Sequence, residues 1–224
     1  MSKVLIIGDT HGIFGRLNKL LNKYKPDIAI ITGDFGFWPK FFNKEYIDSN
    51  RRIRMWDAEI KNGSCKVYFC DGNHEDHDAL DELTNHEIMP NVFYMKRGSI
   101  LNIHGQNILF VGGALSIDKN YRTPKYDWFE QEILKEEDLL SIPNDVQIDM
   151  VISHTAPSEF KFDTDKFLPD PSRDVLSKVL DKYKPREWYF GHFHKYREGK
   201  YKDCKWTMLA DIESYLQSSI IKNM

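Results

Sequence analysis

The chain has 224 residues, 41% of them hydrophobic, and its 31 basic and 34 acidic side chains leave a formal net charge of -3. This length and composition predict one domain over residues 1–224, although two small domains would also fit. The near balance of charge argues against a global attraction to nucleic acid or to an anionic membrane. Three cysteines without CxxC spacing argue against a disulfide framework and a thiolate zinc site.

The N-terminus shows no sign of a secretory signal. Lys3 is followed directly by the apolar run VLIIG, without a long hydrophobic region or a cleavage site. The other apolar runs are too short to span a bilayer. We therefore expect a soluble cytoplasmic protein that does not bind membranes.

Apolar runs typical of β-strands alternate with amphipathic patterns typical of α-helices. Strands are predicted at residues 4–7, 28–32, 66–70, 92–95, 99–103, 108–111, 150–153 and 188–191. Helices are predicted at residues 14–24, 45–62, 128–140 and 173–183. This alternation indicates an α/β fold. A surface loop is expected at residues 161–173, and the turn HGQN predicts an antiparallel hairpin.

Five of the predicted strands end in a short polar cluster that contains Asp, His or Asn. The stretches are VLIIGDTHG, IAIITGDFG, VYFCDGNHE, MVISHTAP and WYFGHFH. Ligands of open α/β sheets bind outside the carboxyl ends of the strands, so these clusters are expected to converge. The candidate ligands are Asp9, His11, Asp34, Asn73, His154, His192 and His194.

Each candidate taken alone has a structural alternative. Asp9 and His11 could cap the following helix, and His154 could be a hydrogen-bonded histidine at a strand end. His192 and His194 fit such an alternative less well. We expect them to alternate on extended backbone, so that both side chains point the same way, as joint ligation requires. Five such clusters in one chain favour a shared binding site.

The types of side chain in these clusters indicate a metal site. Carboxylates, imidazoles and one amide, without a thiolate, suit Mn²⁺, Fe²⁺ or Zn²⁺ better than a calcium cage or a structural zinc site. Seven ligands exceed what one ion can use. Two divalent ions are therefore expected, about 3.5–4 Å apart and joined by a bridging carboxylate. Mn²⁺ is the first candidate, and Fe, Zn and Ni are the others.

The ordered set GDTHG, GD, GNHE, a later His and GHFH resembles the calcineurin-like metallophosphoesterases, in the form of a small bacterial or phage-type member. The resemblance extends from Asp9 to His194. It implies a four-layer α/β/β/α sandwich of two mixed β-sheets flanked by helices, with a di-metal site at the carboxyl ends of the strands. It also implies a hydrolase that cleaves phosphoric esters by attack of a hydroxide bridging two metals.

The resemblance also implies a role for each matching residue. The ligands it implies for one metal are Asp9, His11, Asp34 and His194. Those it implies for the other metal are Asn73, His154 and His192, with Asp34 bridging the two ions and so acting in catalysis. His74 would donate a proton to the leaving oxygen. The glycines expected to let the backbone turn sharply beside these ligands are Gly8, Gly33, Gly72 and Gly191.

The stretch GDFGFWP departs from the pattern of the Ser/Thr protein phosphatases. Those proteins have Asp-Arg where this chain has Phe37 and Trp38, so a protein phosphatase is disfavoured. The two aromatic side chains could stack on a base or cover an apolar leaving group, or they could pack in the core. Trp38 is the candidate substrate-binding residue of the pair.

A phosphate group also needs a cation from the protein. Lys119 and Arg122 follow a Gly-Gly pair after the strand predicted at residues 108–111, and Arg122 could bind phosphate oxygens bidentately. A surface or helix-docking role is the alternative. The basic run at residues 51–54, beside Trp56, is expected on a solvated helix face rather than in a nucleic-acid patch.

The sequence thus favours hydrolysis of a phosphate mono- or diester that is small or nucleotide-like. The alternatives are a nuclease acting on short single-stranded RNA or DNA, an activity like that of the Ser/Thr protein phosphatases, and a metal-free scaffold, as in the retromer subunit that resembles this family. We expect no extended nucleic-acid-binding surface, and the sequence does not indicate an oligomeric state.

Overall fold

A computed structural model describes residues 1–41, 45–47, 53–55, 59–162, 169–214 and 216–224. Its strands are β1 (Lys3–Ile7), β2 (Ile28–Ile31), β3 (Glu45–Ile47), β4 (Ile53–Met55), β5 (Lys66–Phe69), β6 (Glu87–Met89), β7 (Val92–Tyr94), β8 (Ile100–Ile103), β9 (Gln106–Val111), β10 (Met150–Ser153), β11 (Glu187–Phe190), β12 (Arg197–Tyr201), β13 (Cys204–Met208) and β14 (Ser219–Asn223). Its α-helices are α1 (Phe14–Tyr24), α2 (His77–Asp81) and α3 (Pro171–Tyr183). None of the helices so described has the length and hydrophobicity needed to cross a membrane.

Two six-stranded mixed sheets form the centre of the fold. The first has the strand order β14-β1-β2-β5-β7-β6, and the second has the order β12-β13-β11-β10-β9-β8. In each sheet the central strands run parallel and an antiparallel strand closes each edge. Parallel strands place their carboxyl ends at the same side of a sheet, so polar residues after several strands are brought together.

The side chains of β1 show how the layers are arranged. Val4 and Ile6 face the second sheet, in a buried cluster that includes Ile152. Leu5 and Ile7 alternate with them and pack on α1 in a separate cluster. Successive side chains of a strand point to opposite faces, so a continuous apolar run is covered on both sides. α3 covers the outer face of the second sheet in the same way, and the predicted α/β/β/α sandwich is confirmed.

Helices α1 and α3 agree with the predicted amphipathic patterns. α1 buries Phe14, Leu17 and Leu21 and ends where Lys25 adopts a left-handed conformation with φ 44°. α3 begins at Pro171, two residues before the prediction, because the Asp170 side chain accepts a hydrogen bond from the backbone N–H of Ser172. The expected surface loop at 161–173 is therefore wrong at its end, and residues 163–168 lie outside the described part.

Two predicted helices are wrong. Residues 128–140 form two short 3₁₀ helices, Glu130–Glu132 and Glu136–Leu139, instead of one α-helix. Arg97 is the reason, since its guanidinium donates to the carbonyl oxygens of Gln131 and Ile133 at 2.7 and 3.1 Å. Those carbonyls are taken by a side chain rather than by an α-helical backbone.

The second incorrect helix was predicted at residues 45–62. Strands β3 and β4 form an antiparallel pair there. Their sequences, EYI and IRM, contain aromatic and β-branched residues that favour strands. The basic residues Arg51 and Arg52, and Trp56, lie outside the described residues.

Several strands at the sheet edges escaped sequence analysis. β12 (REGKY) and β14 (SIIKN) contain several polar residues, and each lies at an edge of its own sheet. One face of an edge strand meets solvent, so such strands lack the long apolar run that marks a central strand. The predicted hairpin of β8 and β9 is confirmed, with His104 and Gly105 at positive φ in its turn.

Candidate metal centre

The polar clusters at the ends of β1, β2, β5, β10 and β11 come together, although these strands belong to two different sheets. Asp9 and His154 are fully buried, and Asp34 and Asn73 expose 1% and 5% of their surface. Buried carboxylates of this kind need partners, because an unpaired charge inside a protein is costly.

The first group of donor atoms belongs to four side chains. One ligand atom from each lies within 4.8 Å of all the others. The Nε2 atoms of His11 and His194 are 3.0 Å apart, and Nε2 of His194 is 3.2 Å from an oxygen of Asp9. The group consists of Asp9, His11, Asp34 and His194.

A second group lies beside the first. The Asn73 side-chain oxygen is 2.9 Å from Nε2 of His154 and 3.0 Å from Nδ1 of His192. The two ring nitrogens are 3.2 Å apart. Three potential ligand atoms therefore surround one point.

Asp34 lies between the two groups. Its Oδ1 is 3.3 Å from Nε2 of His154, whereas its Oδ2 is 3.7 Å from Nδ1 of His11. Each oxygen therefore faces a different group. This is the position expected of a bridging carboxylate.

The family of the chain follows from comparison with known proteins. A family model described as calcineurin-like phosphoesterase matches residues 2–196. The chain belongs to the calcineurin-like phosphoesterase family. Members of this family typically bind divalent metal ions, and the two donor groups supply the residue types that such ions need.

The chain is also similar to a curated protein and to solved structures. The lariat debranching enzyme of Schizosaccharomyces pombe (strain 972) is 30% identical over 222 residues, covering 86% of this chain and 48% of that protein. The chain thus spans about half the length of the curated relative it matches. A crystal structure with 16% identity aligns over 95% of this chain and 92% of its own, with a TM-score of 0.56, which supports the fold alone.

A more distant structural neighbour is a conserved uncharacterized protein of Streptococcus pneumoniae TIGR4, described as a predicted phosphoesterase. It shares 10% identity, covers 99% of this chain and 83% of its own, and has a TM-score of 0.42.

Protons on two histidines balance the buried carboxylates of the phosphoesterase. Burial alone would lower the pKa of His154, but the charge of Asp34 raises it to about 10. Burial would also lower the pKa of His194, but its hydrogen bond to Asp9 raises it to about 9. Burial and the charge of His154 lower the pKa of His192 to about 3. The centre thus holds positive charge beside its carboxylates, a role that a divalent cation would fill.

The backbone at His192 and His194 differs from the prediction. Both residues have left-handed conformations, with φ of 68° and 52°, so the expectation of alternation on an extended strand is wrong. β11 ends at Phe190, and the backbone N–H of His192 donates to both Asp9 oxygens at 3.0 and 3.1 Å. Non-glycine residues at positive φ are strained and often cluster at functional sites.

The glycines beside the ligands are needed mainly for space. Only Gly33, of the four singled out from the sequence, has a positive φ, at 97°. A Cβ on Gly72 would lie 2.0 Å from Asp34 Oδ1, and one on Gly191 would lie 1.9 Å from Asp9 Oδ1. The expectation of sharp turns is therefore wrong for Gly8, Gly72 and Gly191. Close approach of a carboxylate excludes a side chain at Gly72 and Gly191, and the backbone oxygen of Ala210 excludes one at Gly8.

Arg122 lies inside the centre, with 7% of its surface exposed. Its guanidinium donates to Nε2 of His74 at 2.6 Å and to the backbone oxygen of Asn73 at 3.1 Å. It also pairs with Asp118 at 2.7 Å. The guanidinium therefore lies directly beside the second donor group.

This contact determines which nitrogen of His74 carries its proton. Arg122 can only donate, so Nε2 of His74 accepts and the proton lies on Nδ1. Burial, followed by the charge of Arg122, lowers the pKa of His74 well below its ordinary value. His74 is thus neutral in this arrangement and could donate a proton only from Nδ1. Its role as proton donor stays a prediction.

The other two predicted substrate-binding residues lie in contrasting surroundings. Trp38 exposes 5% of its surface and packs on Phe129 at 6.2 Å between ring centroids, so it offers little surface to a ligand. Lys119 is exposed on the 3₁₀ helix Lys119–Tyr121.

Glu75 supports the centre, although the sequence did not predict a role for it. Its buried carboxylate accepts hydrogen bonds from the backbone N–H groups of Phe35, Gly36 and Phe37, at 2.7, 3.0 and 2.5 Å. These contacts hold the loop that follows Asp34. Its place as the fourth letter of GNHE was the available signal, but which backbone it contacts depends on the tertiary fold.

Proposed function

We propose that this phosphoesterase hydrolyses a small or nucleotide-like phosphate ester with two divalent cations. The single observation that carries the proposal is the position of Asp34, whose two oxygens face two separate groups of donor atoms. Mn²⁺ is the first candidate, because carboxylate, imidazole and amide ligands suit it. Fe, Zn and Ni are the alternatives.

The proposed ligands fall into two sets that share Asp34. The first set is Asp9, His11, Asp34 and His194. The second set is Asn73, His154, His192 and the other oxygen of Asp34. Bound divalent cations would lower the pKa of a water molecule and neutralise phosphate oxygens. The residues of the chain would hold the cations in place and keep the carboxylates anionic.

Arg122 supports an anionic substrate at the second set. Its buried Nε atom has no hydrogen-bond partner among the described residues, so a donor remains for a phosphate oxygen. We propose that Arg122 binds the phosphate and that His74, next to it, contacts the leaving oxygen. Lys119 and Trp38 are weaker candidates for substrate binding. Lys119 is exposed to solvent, and Trp38 is buried against Phe129.

A phosphodiester in RNA is the second and finer candidate for the substrate. The 30% identity with a lariat debranching enzyme favours it. A ribose within an RNA chain already uses its 3′ and 5′ oxygens, so a branch must leave from the 2′ oxygen.

The buried, unpaired cysteines also agree with a reducing compartment such as the cytoplasm.

Substrate profiling tests both levels of the proposal. The purified protein would be loaded separately with Mn²⁺, Fe²⁺, Zn²⁺ or Ni²⁺ and incubated with p-nitrophenyl phosphate, bis-p-nitrophenyl phosphate, 2′,5′- and 3′,5′-linked diadenosine monophosphates, and short RNA. Cleavage of the 2′,5′ linkage above the 3′,5′ linkage would support a branch as substrate. No cleavage of any of these esters with Mn, Fe, Zn or Ni would contradict the proposed function.

A further inference from the structure

We infer that Ser116 and Glu132 are positioning residues that determine which way the Asn73 amide points, so that its oxygen faces the second metal. The inference rests on the proposed function, because it concerns one of the proposed ligands. Neither residue belongs to a motif of the sequence. Both lie on the segment that follows β9.

The contacts form a chain of three side chains. Glu132 is fully buried, and its carboxylate accepts from the backbone N–H of Ser116 at 2.7 Å and from the Ser116 hydroxyl at 2.6 Å. The Asn73 side-chain nitrogen donates to the same hydroxyl oxygen at 3.0 Å. Ser116 is also fully buried, so water does not compete for these bonds.

The single hydroxyl proton of Ser116 gives this series of hydrogen bonds a direction. A serine hydroxyl has one proton, and here it is donated to Glu132. Ser116 therefore offers Asn73 only a lone pair, which the NH₂ group of Asn73 must meet. The amide oxygen is then left to face His154 and His192, at 2.9 and 3.0 Å.

A metal ligand needs this control because the two ends of an amide are alike in shape. Packing alone cannot distinguish the oxygen from the nitrogen of Asn73, and only the oxygen can bind a divalent cation. A rotated amide would present two N–H groups to the metal. Residues that orient a ligand in this way typically contribute about 10- to 100-fold to metal affinity.

The backbone keeps the three residues in register. The N–H of Gly113 donates to the carbonyl of Asp71 at 3.1 Å, and the N–H of Ala114 donates to the carbonyl of Glu132 at 2.9 Å. The segment is therefore tied both to the end of β5 and to Glu132. The hydrogen-bonded side chains of Asn73, Ser116 and Glu132 are called the relay below. Neither backbone contact depends on them, so their substitution should leave the backbone in place.

Glu132→Gln reverses the direction of the relay with little change in size. The Gln oxygen would still accept from the Ser116 backbone, but its NH₂ group would donate to the hydroxyl oxygen. The hydroxyl proton would then point at Asn73 and favour the rotated amide. We expect affinity for the second Mn²⁺ equivalent to fall about 10- to 100-fold while the first is unchanged, measured by equilibrium dialysis without substrate.

A second substitution distinguishes the effect of reversing the Ser116 hydrogen bond from the effect of losing the Glu132 charge. Asn73→Asp gives position 73 two oxygens, so one can accept from a reversed Ser116 hydroxyl while the other faces the metal. In the Asn73→Asp background, Glu132→Gln should therefore raise the affinity for the second Mn²⁺ rather than lower it. Loss of the Glu132 negative charge alone would lower the affinity in both backgrounds.

Glu130→Gln is the matched control, because Glu130 is exposed in the same 3₁₀ helix and its loss changes charge equally. Ser116→Ala, which removes the lone pair, serves as a second probe if Glu132→Gln does not fold, and the same affinity loss is expected. Unchanged second-site affinity, or an equal loss in both backgrounds, would overturn the inference alone. A wild-type protein that binds only one Mn²⁺ would contradict both it and the proposed function.

Discussion

Asp34 combines three local features. It is 1% exposed, it has a left-handed backbone with φ 44°, and it accepts a hydrogen bond from the backbone of His74 at 2.8 Å. Burial opposes its ionisation, but the charge of His154 and its hydrogen bond to Asp34 lower the pKa of Asp34 well below the ordinary value. The side chain is thus held anionic and oriented before any ligand arrives.

The first prediction follows from this position. Asp34→Asn keeps the shape of the side chain but removes the charge that both donor groups share. We expect bound Mn²⁺ to fall from two equivalents to one, and kcat/KM to fall about 10²- to 10³-fold, as when one electrostatic contact is lost. Asp81→Asn, at the exposed end of α2, is the control. Two equivalents retained in Asp34→Asn would show that Asp34 does not bridge.

The second prediction concerns Arg122. A charge-assisted hydrogen bond is worth about 1.5–3 kcal/mol, so Arg122→Ala should lower kcat/KM about 10- to 100-fold, mainly through KM. Lys119→Ala, on the same segment but exposed, should have a smaller effect. Steady-state kinetics on a diester and circular dichroism would be compared. If Arg122→Ala keeps wild-type kinetics with an intact fold, Arg122 has only a structural role.

At the scale of elements, short segments attach the centre to the sheets. α2 follows the GNHE motif directly, and its first residue, His77, is 4% exposed and hydrogen-bonds the carbonyl of Gly72 at 3.1 Å. Asp76 caps the helix by accepting from the N–H of Ala79. A five-residue helix has little stability of its own, so these contacts hold it in place.

The third prediction uses this buried histidine. Burial lowers the pKa of His77 to about 4, below the value of about 6.5 expected in the unfolded chain. The unfolded state then binds more protons, so the free energy of unfolding falls as pH drops from about 6.5 towards 4, by about 3 kcal/mol at most.

His77→Gln removes this titration while keeping a donor for Gly72. Urea unfolding in EDTA at pH 7 and pH 4 would be compared for both proteins. The wild type should lose more stability over this interval than the variant. An identical pH dependence would show that His77 is not held neutral in the folded state.

At the scale of the whole molecule, the candidate centre joins the two sheets. Asp9, His11, Asp34 and Asn73 follow strands of the first sheet, whereas His154, His192 and His194 follow β10 and β11 of the second. The negative charge of Asp34 opposes the ionisation of Asp9. A cation bound between the sheets would remove that repulsion and link the two halves of the fold.

The fourth prediction is that metal stabilises the entire fold. A ligand that binds only the folded state at a free concentration 100 times its Kd adds about 2.7 kcal/mol per site. Thermal unfolding should therefore move to higher temperature with Mn²⁺ and return with EDTA. The shift should shrink in Asp34→Asn. An unchanged Tm in saturating Mn²⁺ would mean that no such site forms.

The sequence predicted β1 and α1 well because the signal for each is local and strong. The apolar run of β1 and the spacing of Phe14, Leu17 and Leu21 in α1 follow from the periods of strand and helix. The prediction failed at residues 128–140, where Arg97 takes the carbonyls from a distant part of the chain. It also failed at His192, whose backbone N–H donates to the Asp9 carboxylate and whose conformation does not continue the preceding strand.

By itself the sequence determined the kinds of side chain available to the centre and their place after apolar strands. Asp9, Asp34 and the GNHE and GHFH motifs could be found because each directly follows its strand. Only the tertiary structure decided how the ends of two sheets meet, which oxygen of Asp34 faces which group, and that Ser116 and Glu132 orient Asn73. Hydrogen-bond direction depends on atoms brought together across 16 to 43 residues, and no local period in the chain records those distances.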